Sequence, residues 1–308
     1  MLPWINRLTK NGRFHPMWIV LATMAIFVVA ALFAVPALFE GAKASPKTSA
    51  LALKQVPTAN LPEPDAGQQT ANSIQKAHFT PPSESDMPSG EFGDMVKLGR
   101  NIFVHTQTYA KGLVGNGLNC VNCHLDAGRK ADAAPLWAAY VMFPAYRDKN
   151  HKVNSFEDRL AGCFRFSMNG TAPKYNSKEM IALTTYSYWL AKGAPTGVAL
   201  AGRGYPKLKN PLLPPDAKRG ASVFQANCAI CHGAEGLGTK INGQYAFPPL
   251  WGSDSYNAGA GMHAVKNAAA FIKANMPLGK GNSLSLQEAW DVAQFVDSHD
   301  RPADPRVK

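Results

Sequence analysis

The sequence CVNCH at residues 120–124 recurs as CAICH at residues 228–232. This C-x-x-C-H pattern is typical of covalent haem attachment, in which two thiols form thioethers to the haem vinyl groups and the histidine becomes the proximal iron ligand. One copy could instead be a zinc site, a disulfide or a redox pair, but two copies that each end in histidine predict two haem c groups. The predicted attachment residues are Cys120, Cys123, Cys228 and Cys231, and the predicted proximal ligands are His124 and His232.

The N-terminal region predicts export. Residues 1–16 are basic, and residues 17–39 contain no charged side chain. Because a bilayer is spanned by ~20 apolar residues, we predict a transmembrane anchor in the inner membrane with its basic end in the cytoplasm. Ala42-Lys43-Ala44 offers an alternative, a small-x-small site at which a signal peptide could be cleaved. In either case the remainder is exported, and c-type haem attachment in a bacterium implies the periplasm.

The chain is basic, with 32 Lys and Arg against 21 Asp and Glu and a formal net charge of +11. Basic chains often bind nucleic acid, but an exported haem protein meets none, so no such partner is expected. A positive field favours small anions and acidic redox partners instead.

The length of 308 residues fits about two domains, with one haem in each. Residues 40–86 are rich in Pro, Ala, Ser, Thr and Gln, which predicts a flexible linker because such a segment cannot bury a core. The predicted remainder is a first haem domain at 87–200, a Gly- and Pro-rich linker at 201–215, a second haem domain at 216–300 and a tail at 301–308.

Both halves carry a glycine and a phenylalanine four residues apart before the haem motif, Gly99 with Phe103 and Gly220 with Phe224. The spacing in residues 92–106 predicts a helix, and the glycine would let another helix approach closely. The predicted inner face of this helix consists of Phe92, Met95, Val96, Gly99, Ile102 and Phe103.

A proline turn follows each haem motif, as Pro135-Leu136-Trp137 and Pro249-Leu250-Trp251. Such a turn could supply the backbone carbonyl that orients the proximal histidine. Each half then ends in an amphipathic helix with a capping-box pattern, predicted to begin at Asn176 and stop at Gly193 in the first half, and to begin at Ser285 in the second. The order of helix, haem motif, loop and helix resembles the class I cytochrome c fold, so we predict a mostly α protein with two such domains in tandem.

The distal ligands are predicted differently for the two haems. Met276, in Ala274-Asn275-Met276-Pro277, resembles the methionine loop of class I cytochromes c and is the predicted second ligand of the second haem, with Met262 as the rival. At the first haem, Met168 lies 44 residues after His124, the same spacing as Met276 after His232. The fifth cysteine, Cys163, is the alternative, because a thiolate binds ferric iron strongly. The third possibility is that neither residue binds the iron and that Cys163 is simply a small buried apolar residue. The residues alone leave all three possibilities open.

The run RLAGCFRFSMNG at residues 159–170, followed by Tyr186 and Trp189-Leu190, resembles the dihaem thiosulfate dehydrogenases. It is more distantly similar to the haem-Cys subunit of the sulfur-oxidising complex. The resemblance covers roughly residues 95–300 and implies His124 and Cys163 as ligands of a catalytic first haem, with Cys163 at the family's spacing of 39 residues after the histidine. It implies that His232 and Met276 are the ligands of an electron-transferring second haem. It also implies that Met168 packs in the protein interior and does not bind iron. Some members have Lys where this chain has Asn275, so no switch between Lys and Met ligation is expected.

The family reaction implied by this resemblance joins two thiosulfates into tetrathionate, or reverses that step, and passes electrons to a partner such as a cytochrome. Substrate dianions require fixed positive charge, and the planar fork of arginine suits a sulfonate. Arg159 lies four residues before Cys163, which places both on one face if the segment is helical. Arg147 is the second predicted anion-binding residue and Ser167 the predicted hydrogen-bond donor. Lys149 and Arg165 are further nearby cations, of which Arg165 could equally be a solvated surface charge. A thiolate at Cys163 could also attack a substrate sulfur–sulfur bond.

Two other functions fit the same haem motifs. A dihaem cytochrome that only transfers electrons would have His and Met ligands at both haems and would not react with sulfur anions. A subunit of a sulfur-oxidation complex would be inactive without its partner. A dihaem peroxidase is disfavoured, because no feature of the sequence marks an open iron site.

Overall fold

The computed structural model describes residues 79–307, which belong to one compact unit. The predicted anchor at 17–39 and the linker up to residue 78 lie outside the described residues. Within residues 79–307, no helix combines the length and apolar character needed to cross a membrane.

The first half is mostly helical and ends in a long helix that packs back onto the first one. Its helices are α1 (Gly90–Val104), α2 (Thr106–Tyr109), α3 (Leu125–Gly128), α4 (Leu136–Tyr140), α5 (Phe156–Gly162) and α6 (Lys178–Leu190). Strands β1 (Ala145–Arg147) and β2 (Lys152–Asn154) form an antiparallel hairpin that leads into α5. The core between α1, α4 and α6 buries the side chains of Val96, Ile102, Phe103, Trp137, Leu183 and Tyr186.

The second half repeats this plan around its own core. Its helices are α7 (Ala217–Asn227), α8 (Ala229–His232), α9 (Val265–Asn275) and α10 (Leu286–Asp297), and strands β3 (Thr239–Ile241) and β4 (Gln244–Phe247) form a second antiparallel hairpin. Phe224, Trp251, Leu284, Val292 and Val296 form its largest buried cluster. The observed architecture is therefore the predicted mostly helical one, with equivalent helix pairs in both halves.

The predicted close approach at the repeated glycines is confirmed in both halves. A methyl group on Gly99 would lie 2.1 Å from the carbonyl oxygen of Ala182 in α6, and one on Gly220 would lie 2.0 Å from the carbonyl oxygen of Asp291 in α10. The phenylalanines four residues later, Phe103 and Phe224, are both buried. Each first helix thus touches the backbone of its partner helix, which no larger residue would allow.

Two details of the helix predictions are wrong. Phe92 was expected on the inner face of α1 but is 46% exposed, because the buried stripe runs through Gly93, Val96 and Gly99. The cap of α6 is Ser177, whose hydroxyl accepts from the Met180 amide, and not Asn176, which has a left-handed backbone. The helix runs to Leu190, and Gly193, the predicted stop, follows three residues later with a left-handed backbone, so its predicted end is confirmed. The predicted capping box of Ser285 and Glu288 in α10 is confirmed.

Segments predicted as linkers pack onto the core. Within the predicted flexible linker, Phe79 lies with its ring centroid 5.4 Å from that of Trp137, and Glu84 accepts a 2.8 Å hydrogen bond from Arg100. The predicted start of order at residue 87 is therefore too late. In the linker at 201–215, the carbonyls of Gly202 and Gly204 accept hydrogen bonds from the amides of Asp132 and Ala134. These aromatic and backbone contacts provide burial that composition alone does not indicate.

The glycine contacts predict a local stability requirement. Gly99→Ala and Gly220→Ala should each lower the free energy of unfolding by about 2 kcal/mol, because the added methyl must displace a facing backbone carbonyl. Gly112→Ala is the matched control, since nothing lies within 4 Å of the methyl it adds. Thermal unfolding of the holoprotein variants measures the effect. Equal melting temperatures for Gly99→Ala and Gly112→Ala would contradict the helix contact.

Candidate active site

Both predicted proximal histidines are oriented by a carbonyl that directly precedes the predicted proline turn. Nδ1 of His124 lies 2.6 Å from the Ala134 carbonyl oxygen, and Nδ1 of His232 lies 2.8 Å from that of Pro248. A histidine held in this way donates from Nδ1 and leaves Nε2 available to a metal. The predicted role of the turns at Pro135 and Pro249 is therefore confirmed.

The residues around His124 fit a covalently bound haem c. Cys120, Cys123 and His124 line a cavity of roughly 650 Å³, and none of the chain's five cysteines, all within the described residues, forms a disulfide. Burial lowers the pKa of His124 to about 4, so the imidazole is neutral, as an iron ligand must be. Apolar walls complete the cavity and include Phe103, Leu118, Phe156, Phe164 and Leu183.

Cys163 opens into the same cavity from a distorted helical turn. Helix α5 begins with a reciprocal capping box between Ser155 and Asp158 and continues into a π-helical segment at Cys163–Ser167. Such π turns often occur at functional sites, because the wider turn redirects side chains. The fifth cysteine thus lies in one cavity with the first haem motif, although sequence separates them.

Arg159 contacts the sulfur of Cys163 directly. Its Nη1 donates to Sγ at 2.7 Å, and Coulombic attraction to Cys163 raises the pKa of this guanidinium. The helical spacing that suggested a shared face is confirmed, since α5 and the π turn bring the two side chains together.

The cavity is lined by four cations, which are Arg147, Lys149, Arg159 and Arg306. Among the described residues around it, none is Asp or Glu. Burial and then the charge of Arg159 lower the pKa of Arg147, which reflects repulsion between these groups. Ser167 also lines the cavity, whereas Arg165 is exposed and does not. The cavity therefore has the electrostatic character of an anion site.

Met168 and Met262 both line this first cavity. Met168 is only 3% exposed and packs with Leu118, Tyr256 and Ala260. Because Cys163 and Met168 reach the same cavity, the choice of Cys163 as ligand stays a prediction.

The second haem motif is more exposed than the first. Ile230, between its two cysteines, is 89% exposed, whereas the corresponding Asn122 of the first motif is half-buried. Met276 directly follows α9 and is half-buried. The preceding Asn275 is buried and donates to the carbonyls of Asp132 and Phe271, at 3.0 and 3.1 Å. Asn275 thus fixes the start of the Met276 loop against the first half.

Several cavity residues were missed because they come from segments predicted as linker, tail or second domain. Tyr205, from the linker, lines the cavity, and burial raises the pKa of its phenol well above the ordinary value. Arg306 comes from the predicted tail, and Tyr256 and His263 come from the second half. No local pattern marks these residues, since only the packing of the halves brings them to the cavity.

Comparison with known proteins agrees with this arrangement. Residues 106–196 match the family described as SoxA/TsdA, cytochrome c domain, and residues 215–296 match the family described as cytochrome C oxidase, cbb3-type, subunit III. The solved structure of thiosulfate dehydrogenase (TsdBA) from Marichromatium purpuratum in its "as isolated" form is similar, with a TM-score of 0.74 and 51% identity over 76% of this chain. The chain spans about half of that protein, 52% of its length.

Two curated relatives share most of their length with this chain. The thiosulfate dehydrogenase of Thiomonas intermedia is 60% identical over 230 residues, which cover 75% of this chain and 73% of the relative. That of Stutzerimonas stutzeri is 55% identical over 240 residues, which cover 78% of each. The chain therefore belongs to the thiosulfate dehydrogenase family and is an oxidoreductase built on cytochrome c domains, which bind haem c covalently.

Proposed function

We propose that this protein oxidises two thiosulfates to tetrathionate, and can reverse the step, in the cavity that contains Cys163. The observation that carries the proposal is the contact between Arg159 and the Cys163 sulfur inside a cavity with four cations and, among its described lining residues, no carboxylate. The relatives are thiosulfate dehydrogenases, and their activity supplies the substrate class.

The reaction requires two dianions to meet. A bond forms between their sulfane sulfurs, one tetrathionate dianion results, and two electrons are released without any proton transfer. Two unit charges 4 Å apart repel by about 4 kcal/mol at an effective dielectric constant of ~20. Arg159 and Arg147 offset this repulsion by binding sulfonate oxygens, and Ser167 donates a further hydrogen bond.

Two haem c groups are proposed, one at each motif. His124 and Cys163 would hold the first iron, and His232 and Met276 the second. Haem iron supplies one-electron transfer, so two such sites match the two electrons released. The Arg159 guanidinium donates to the sulfur of Cys163 and would therefore lie directly beside this proposed iron ligand.

The cellular setting is proposed from the sequence. The protein would work in the periplasm, held at the inner membrane by residues 17–39 or released after cleavage, and would pass electrons to a partner cytochrome. The catalytic domain would comprise the first half up to residue 200, including the packed segment from Phe79, and the electron-transfer domain residues 216–300. The exposed second motif, with Ile230 at the surface, suits electron exit to that partner.

Replacing the proposed thiolate ligand should abolish activity. Cys163→Ala and Cys163→Met are expected to lose thiosulfate-dependent dye reduction while both haems stay attached, because attachment uses other cysteines. Met168→Leu is the matched control and should keep the ferric low-spin thiolate spectrum. Full activity of Cys163→Ala, or loss of that spectrum only in Met168→Leu, would rule out Cys163 as the ligand. Activity of the purified wild-type protein alone would also exclude the two rival functions.

Removing the Arg159 guanidinium, which contacts the Cys163 sulfur, should weaken thiosulfate binding. Arg159→Ala is expected to raise the KM for thiosulfate about tenfold or more, since one charge-assisted hydrogen-bonding group is lost. Arg165→Ala removes a nearby exposed charge and should leave KM unchanged. Steady-state kinetics at constant ionic strength make the comparison. A KM shift of the same size in both variants would indicate a general charge effect and not a binding contact.

The iron of the second haem should be ligated by Met276 and not by Met262. Met276→Ala is expected to remove the spectroscopic signature of His/Met ligation and to lower the reduction potential of that haem, because a thioether ligand raises it. Met262→Ala should leave both properties intact, since Met262 lines the first cavity. Redox titration followed by absorbance would measure both, and the opposite pattern would assign the ligand to Met262.

A further inference from the structure

The C-terminal segment returns to the first cavity and places a cation there. The Pro302 carbonyl accepts a 2.9 Å hydrogen bond from the amide of Ala258. The Asp304 carboxylate then accepts from the backbone amide of Arg306 at 3.0 Å and from its Nε at 2.9 Å. These contacts hold the Arg306 guanidinium at the cavity wall, although Arg306 is distant in the sequence from the other cations of the cavity.

Lys149 and Arg306 converge on one aromatic ring. The Lys149 ammonium lies 5.0 Å, and the Arg306 guanidinium 4.8 Å, from the ring centroid of Phe166. Both distances are within the range of a cation–π contact. Phe166 belongs to the same π turn as Cys163, so this pair of cations is attached to the turn that carries the reactive sulfur.

Each of these two cations retains free donor capacity. Lys149 uses one of its three ammonium donors on the Gly259 carbonyl, at 2.8 Å. Arg306 donates to Asp304 through Nε and Nη2, and its Nη1 has no partner among the described residues. Burial, followed by the charge of Arg306, lowers the pKa of Lys149, so the two groups repel each other. The Asp304 carboxylate, which Arg306 contacts, offsets part of that repulsion, and an anion placed between the two cations would relieve the remainder.

We propose that Lys149 and Arg306 form an outer subsite that binds the second sulfur oxyanion, while Arg159 and Cys163 engage the first. The inference rests on the proposed function, because it assigns the second of the two substrates. In tetrathionate the sulfonates stand at opposite ends of the sulfur chain. Two substrates that are about to join must therefore bind by separate cations, with their sulfane sulfurs facing each other between the two subsites.

Thiosulfate binding to the fully reduced holoprotein tests the outer subsite without turnover, because ferrous haems cannot accept its electrons. Calorimetric titration of the wild-type protein should give two thiosulfates per chain. In Arg306→Ala and in Lys149→Gln, the weaker dissociation constant should rise about tenfold or the second event should vanish, since one charged donor is lost. Arg306→Lys should show a smaller loss because it keeps the charge.

Arg165→Ala is the control for charge, since it is exposed beside Phe166 but outside the cavity. Melting temperatures show whether a variant has lost its fold, and Lys149→Gln carries the test if Arg306→Ala detaches the C-terminal segment. One thiosulfate per wild-type chain, or an unchanged weaker constant in Lys149→Gln, overturns the outer subsite and leaves the Cys163 chemistry standing. If the wild-type protein neither binds thiosulfate nor turns it over, the proposed function is overturned, and the outer subsite with it.

Discussion

Buried amide side chains from both halves hold the turn that carries Cys163. Asn116 donates to the Ser167 carbonyl at 2.8 Å and to the Ser255 carbonyl at 3.1 Å, while Asn257 of the second half donates to the Arg165 carbonyl at 2.9 Å. A buried polar group without a partner costs about 1–3 kcal/mol, so these bonds require both halves to be docked before the turn is in place. The position of Cys163 is therefore a property of the whole described unit and not of its own helix.

The cations clustered around this turn destabilise the folded state. Bringing several cations to one partly buried cavity is unfavourable unless negative charge compensates them. The protein arranges only partial compensation, through the Asp304 carboxylate beside Arg306, while Arg159 donates a hydrogen bond to the Cys163 sulfur. Unfavourable arrangements of this kind often occur at functional sites, where a bound ligand supplies the compensating interaction. A dianionic substrate would supply the compensating negative charge here.

The two halves share one folding plan but differ in exposure. Gly99 and Gly220 make the same helix contact, and both histidines donate to a carbonyl that precedes a proline. The first motif is covered by the second half, whereas the second motif leaves Ile230 at the surface. A covered site protects chemistry from solvent and an exposed one allows a redox partner to approach, so the asymmetry fits a division into catalysis and electron exit.

The sequence by itself predicted the haem attachment residues, and it determined the orientation of His124 by a proline turn, the helix contact at Gly99 and the shared face of Arg159 and Cys163. Most of these depend on residues close together in the chain, where helical period and turn chemistry act locally. The contact at Gly99 is the exception, because its partner Ala182 is distant in the sequence and only the small residue itself was visible beforehand. Only the tertiary structure decided that Tyr205 and Arg306 line the same cavity. Their segments lack a periodic pattern, and they reach the cavity through backbone hydrogen bonds and packing between the halves, which composition and spacing do not encode.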